Sequence, residues 1–124
     1  MDTISPNIFV KDINQTIAFY KQLGFELIAH VPEAEPFVWA MMKCGNVTFM
    51  FQTFESLGND LPDISREKGG SLLLYINIKN IRTFFDGIKN KVKIIHGLEK
   101  AFYGATEFSM LDNNGYVLTF AEDE

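Results

Sequence analysis

A chain of 124 residues, 47% hydrophobic and 14% aromatic, has the size and composition of one globular domain with a sizeable core, which excludes intrinsic disorder. Eleven Lys and Arg against 16 Asp and Glu give a formal net charge of -5, and the basic residues are scattered, which argues against a nucleic-acid partner. The longest apolar run, FVWAMM, is too short to span a bilayer, and the start MDTISPN lacks the basic-then-apolar pattern of a signal peptide, so a cytoplasmic protein without a membrane partner is expected.

In chain order, ISPNIFV alternates as a strand and DINQTIAFYKQLGF reads as a helix. Asp12 caps it with Gln15 three residues on, Ile13, Ile17, Phe19 and Tyr20 form its apolar face, and Gly24 ends it. FELIAHV, EPFVWAMM and NVTFMFQ follow as strands, the last two separated by a turn at Lys43, Cys44, Gly45 and Asn46. Cys44, the single cysteine, has no partner for an intrachain disulfide and receives no role. A polar connector with Gly58, Pro62, Gly69 and Gly70 comes next, and its ESLGNDLPD stretch reads as mobile. Then SLLLYIN is a strand, IKNIRTFFDGIKN a helix capped by Asn77, and KVKIIHG, ATEFSML and GYVLTFAE are strands. Asn113, Asn114 and Gly115 can supply the positive φ angles of the last hairpin turn. The order is βαβββ written twice, an α+β fold in one domain of residues 1–124, with module one at about 1–53, a linker at about 54–70 and module two at about 71–124.

Successive residues of a strand point to opposite faces. Ile8 and Val10, Leu72, Leu74 and Ile76, Val47, Phe49 and Phe51, and Tyr116, Leu118 and Phe120 share the face that takes the helices. The opposite face carries Ser5, Asn7 and Phe9; Ser71, Leu73 and Tyr75; Thr48, Met50 and Gln52; and Val117, Thr119 and Ala121. A solvated face would collect Lys and Glu, and a dry core would not collect Ser, Asn, Gln and Thr together. The mixture fits a surface that holds a ligand.

VKDINQTIAFYKQLGF in the first module and MLDNNGYVLTFAE at the end, within the duplicated order, resemble the vicinal oxygen chelate superfamily of glyoxalase I, extradiol dioxygenases and bleomycin-resistance proteins. The resemblance implies sheets curled around a central cleft, closed within one chain or across a dimer. Metal enzymes of that family place His, Glu or Gln on four strand positions, which fall here on Ser5, Met50, Ser71 and Thr119. None is a normal ligand for Zn, Ni, Mn or Fe. The resemblance therefore implies a kept fold, no metal and no other cofactor. The start SPN, LGF after the first helix, and Trp39 in the third strand are closest in pattern to the bleomycin-resistance proteins, acidic homodimers that sequester a drug without altering it.

The expected function is thus the binding of a small, partly aromatic organic molecule by a homodimer. Trp39, Met50, Tyr75, Phe102 and Tyr103 would supply apolar contacts together with Phe9, and Ser5, Asn7, Ser71 and Thr119 orienting hydrogen bonds. Trp39 serves equally well as core, and the Tyr75 hydroxyl could bond only Asn7 or Ser71. No catalytic residue is assigned. Glu107 could face the ligand if its register sets it opposite Thr119, against the plainer reading of a solvated surface glutamate; His30 and His96 read as solvent-facing strand ends. Two other readings compete: a metal-dependent lyase, isomerase or dioxygenase with displaced ligands, and a regulatory or scaffold domain with a filled cleft.

Overall fold

The computed structural model of the chain describes residues 1–123, and one order of elements occurs in it twice. In the first compact unit, residues 1–66, strand β1 (Asn7–Val10) leads to helix α1 (Ile13–Gln22), then β2 (Glu26–Val31), β3 (Trp39–Cys44), β4 (Val47–Thr53) and the single-turn helix α2 (Phe54–Leu57). In the second, from residue 67 onward, come β5 (Leu73–Asn77), α3 (Ile81–Ile88), β6 (Lys93–Lys100), β7 (Ala105–Leu111) and β8 (Val117–Asp123). Each unit has its own four-stranded sheet, in the order β1-β4-β3-β2 and β5-β8-β7-β6. The opening strand runs parallel to the closing strand beside it, and the remaining pairs are antiparallel. This is the α+β duplication of βαβββ modules that the sequence order implies.

The two helices start differently. Asp12 holds extended backbone (φ -127, ψ 108) and accepts the N–H of Gln15 at 3.0 Å, as the capping pattern predicts. Asn77, the expected cap of the second helix, instead stays in β5 opposite Ala121. The helix begins after Asn80, which is left-handed (φ 60, ψ 47) and makes no side-chain cap. The carboxylate of Glu122 on β8 accepts the N–H groups of Asn80 and Ile81 at 2.9 and 3.0 Å. An anion thus satisfies orphan donors at the positive end of α3.

Each sheet buries one face against its own helix. In the first unit Ile8, Val10, Ala40, Met42, Phe49 and Phe51 are buried, with Ile13, Thr16, Ile17 and Tyr20 from α1. The Tyr20 ring centroid lies 4.8 Å from that of Phe51 and 5.4 Å from that of Phe25. In the second unit Phe84 lies 4.9 Å from Phe120, Phe85 lies 4.9 Å from Phe108, and Phe108 stacks on Phe120 at 5.3 Å. Each such pair contributes about 0.5–1.5 kcal/mol beyond the area it removes from water.

The last hairpin is set by a residue outside the expected trio. Gly115 alone of the three takes a positive φ, +84, while Asn113 and Asn114 do not. The buried Asp112 carboxylate accepts the N–H groups of Asn114 and Tyr116 at 2.8 and 2.9 Å and so closes the turn. Gly69 packs against this turn: at φ +80, a Cβ placed on it would lie 2.4 Å from the Gly115 carbonyl oxygen.

Two further expectations change. EPFVWAMM becomes a strand only from Trp39. The connector expected to be mobile is partly built, since Thr53 caps α2 by accepting the Ser56 N–H at 3.2 Å. Beyond α2, the Arg66 guanidinium donates to the carbonyls of Ile64, Gly58 and Asp60 at 2.8, 3.1 and 3.2 Å. Among the described residues no helix is long and apolar enough to cross a membrane.

Candidate functional site

Of the predicted site residues, Asn7, Phe9, Trp39, Met50, Tyr75 and Thr119 lie on the sheet faces turned away from the helices, whereas Ser5 and Ser71 precede their strands and Phe102 and Tyr103 lie between β6 and β7. In the first module the register sets Asn7, Met50 and Met41 in one row and Phe9, Gln52 and Trp39 in the next. The Asn7 amide donates to Gln52 Oε1 at 3.0 Å, and Gln52 donates onward to Ser56 Oγ at 3.2 Å. Trp39 and Met50 are half-exposed, whereas Phe9 is buried, with Phe54 of α2 at 6.1 Å. The one aromatic of β1 on this face is therefore covered by its own chain. Ser5 is exposed and precedes the strand.

In the second module Tyr75, Thr119 and Ser109 form one row, and Asn77, Ala121, Glu107 and Glu99 form the next. Thr119, expected to orient a ligand, is buried, and Ser109 Oγ lies 2.7 Å from its Oγ1, so the threonine hydroxyl already has a partner. Glu107 sits opposite Ala121 rather than Thr119, on the same face and two residue pairs away. Its carboxylate is not simply solvated. Tyr75 Oη donates to Oε2 of Glu107 at 2.5 Å, and the hydroxyl of Tyr103, in the loop between β6 and β7, donates to the same oxygen. The Tyr75 phenol thus gives its proton to Glu107 rather than to Ser71.

These bonds fix the protonation of the two phenols. The hydrogen bond to Glu107, and after it desolvation, holds the Tyr75 phenol well above its ordinary value; the same hydrogen bond is the main cause of the rise at Tyr103. Both are neutral donors at neutral pH and poor bases. Phe102 beside them is fully exposed and meets Tyr103 edge-on at 5.0 Å. Ser71, like Ser5, is exposed and precedes its strand.

The four positions that the resemblance assigns to metal ligands do not fit a divalent ion of that kind. Ser5 and Ser71 lie outside the strands, Met50 offers a thioether, and the Thr119 hydroxyl is bonded to Ser109. Among the described residues no group of three or more His, Cys, Asp or Glu side chains could hold a metal. Of the histidines, His96 is exposed as expected. His30 is half-buried, stacks on Phe37 at 4.1 Å and places Nδ1 3.0 Å from the Pro32 carbonyl oxygen, which corrects its reading as solvent-facing. A shallow recess at the start of α3, lined by Asn77, Lys79, Asn80 and Glu122, has its carboxylate engaged in capping the helix.

Sequence reasoning did not single out Ser109, Asp112 or Glu122. For Ser109 a signal existed: in ATEFSML it stands two residues from Glu107, hence on the same face. For Glu122 none did, because its bond to Asn80 spans 42 residues.

Residues 2–120 match the profile of the Glyoxalase/Bleomycin resistance protein/Dioxygenase superfamily. The chain belongs to this superfamily. No curated protein matches it significantly by sequence. Among solved structures, a bleomycin resistance determinant encoded on the transposon Tn5 superposes with a TM-score of 0.74 at 22% identity, covering 100% of this chain and 99% of that one. A bleomycin-binding protein complexed with bleomycin gives a TM-score of 0.72 at 21% identity, with 100% of both chains covered. A protein of unknown function from Agrobacterium tumefaciens str. C58 gives 0.79 at 24% identity, covering 100% of this chain and 95% of that one. At these identities the glyoxalase/bleomycin-resistance fold is what the likeness shows.

Proposed function

We propose that this member of the glyoxalase/bleomycin-resistance superfamily is a metal-free binding protein that sequesters a small, partly aromatic organic molecule, an antibiotic or a metabolite, without transforming it. The observation that carries the reading is the donor set. At the positions where metal enzymes of the superfamily hold an ion, this chain has two serines ahead of their strands, a thioether and a hydroxyl already bonded to Ser109. What the modules offer instead is, in the first, half-exposed Trp39 with the amides of Asn7 and Gln52, and, in the second, exposed Tyr75 with Tyr103 and Phe102 of the β6–β7 loop. That combination binds planar organic surfaces and orients them by hydrogen bonds. The two phenols are held protonated and are poor general bases, since both donate to Glu107.

The reading treats residues 1–124 as one functional domain of a cytoplasmic homodimer, isologous pairing being the commonest closed assembly. Native mass spectrometry of the purified protein, with elemental analysis after brief dialysis, tests it. The expected result is a dimer mass without stoichiometric metal. Tightly held Zn, Ni, Fe or Mn would overturn the reading in favour of a metal-dependent lyase, isomerase or dioxygenase with displaced ligands.

A further inference from the structure

We propose that Glu107, clamped by Tyr75 and Tyr103, is the anchoring point for a cationic group on the ligand, an organic ammonium or amidinium carried by an aromatic ring. This rests on the binding role proposed above and adds the charge of the ligand to it.

The geometry of the clamp is one-sided. Both phenols donate to Oε2 of Glu107, and among the described residues Oε1 has no hydrogen bond and no Lys or Arg within ion-pair distance. The two donors are neutral phenols and bring no counter-charge to Glu107. A carboxylate held in place by two donors, with its second oxygen free, is a preorganised acceptor for a charge-assisted hydrogen bond.

A second observation is independent of the clamp. Glu99 on β6 stands directly opposite Glu107 in the strand register. Like charges facing each other across a ladder destabilise it, and a bound cation relieves that repulsion. The third is the surrounding surface: Tyr75 is 48%, Tyr103 56% and Phe102 100% exposed, so ring faces that attract cations remain accessible next to the carboxylate. The net charge of -5 acts in the same direction at long range. A neutral planar ligand would use the rings and leave the acid pair unrelieved. A cationic one uses both.

Isothermal titration calorimetry at neutral pH and low salt, with three ligands sharing one ring, reads this directly. 1-Naphthylmethylamine is a cation, 1-naphthylmethanol is neutral and 1-naphthylacetate is an anion. The expected order is amine, alcohol, acetate, with the amine roughly tenfold tighter than the alcohol for a partly exposed ion pair supplemented by cation–π contact. Glu107→Gln, its fold checked by circular dichroism, should bring the amine to the level of the alcohol while the alcohol binds as before. Equal affinity of amine and alcohol for the wild-type protein would overturn the inference and leave the binding role standing. So would a preference for the amine that survives in Glu107→Gln. Absence of binding by all three up to millimolar concentration would overturn the binding role itself, and the inference with it.

Discussion

The faces that the two modules turn toward their helices are built alike, while the faces turned away from them are not. Tyr20 packed against Phe25, Phe49 and Phe51 in the first module is answered by Phe84 and Phe85 packed against Phe108 and Phe120 in the second. On the open faces, the first module joins Asn7, Gln52 and Ser56 in an uncharged chain of hydrogen bonds. The second sets two phenols on a carboxylate and pairs two hydroxyls. A helix laid on a sheet leaves a fixed volume to fill, so packing holds the inner faces to one solution. The faces turned away carry no helix of their own, although Phe9, Thr119 and Ala121 on them are buried, and there the modules have taken up different chemistry.

The largest test of this contrast lies in the core. Phe51→Ala in the first module and Phe108→Ala in the second should each destabilise the protein by about 3–5 kcal/mol, measured by urea unfolding. A loss at one site only would break the equivalence of the two cores. Gly69→Ala should cost at least about 1–2 kcal/mol, because the new Cβ meets the Gly115 carbonyl in a left-handed backbone; a neutral result would mean that the turn is not held where it stands. Removing either helix cap, Asp12→Ala or Glu122→Ala, should cost about 1 kcal/mol. The two modules reach the same stabilisation by a local and by a distant acid, and a silent Glu122→Ala would end that parallel.

The smallest effect is a titration. In the folded protein Tyr75 keeps its proton to higher pH than the ordinary phenol value of 10.0, because of its bond to Glu107. The stability that this bond contributes is fully present below that ordinary value and is lost as pH rises through the higher folded one. Ultraviolet titration of the wild type against Tyr75→Phe isolates the phenol, and Glu107→Gln should return it toward 10.0. An unchanged titration in Glu107→Gln would remove the clamp from the comparison.

The duplicated order of elements was legible because periodicity and turn residues are local. Asp12 and Gly24 marked the first helix, and strand parity placed Asn7, Met50, Tyr75 and Thr119 on the open faces. What parity could not supply was the partner of each side chain. The Glu107 carboxylate read as solvated because Tyr75 lies 32 residues away and Tyr103 sits in a loop whose direction no pattern fixes. The α3 cap was misassigned to Asn77 for the same reason, since Glu122 reaches it only through the pairing of β5 with β8. Phe9 read as a ligand contact because nothing in the local sequence announced that Phe54 would fold over it.

The central claim is that organic ligands are held by these side chains without a metal. Its most direct test is calorimetric titration of 1-naphthylmethylamine into the wild-type protein before and after exhaustive treatment with a chelator. The account predicts the same affinity in both. Loss of binding on chelation, restored by adding Zn, Ni, Fe or Mn, would contradict it.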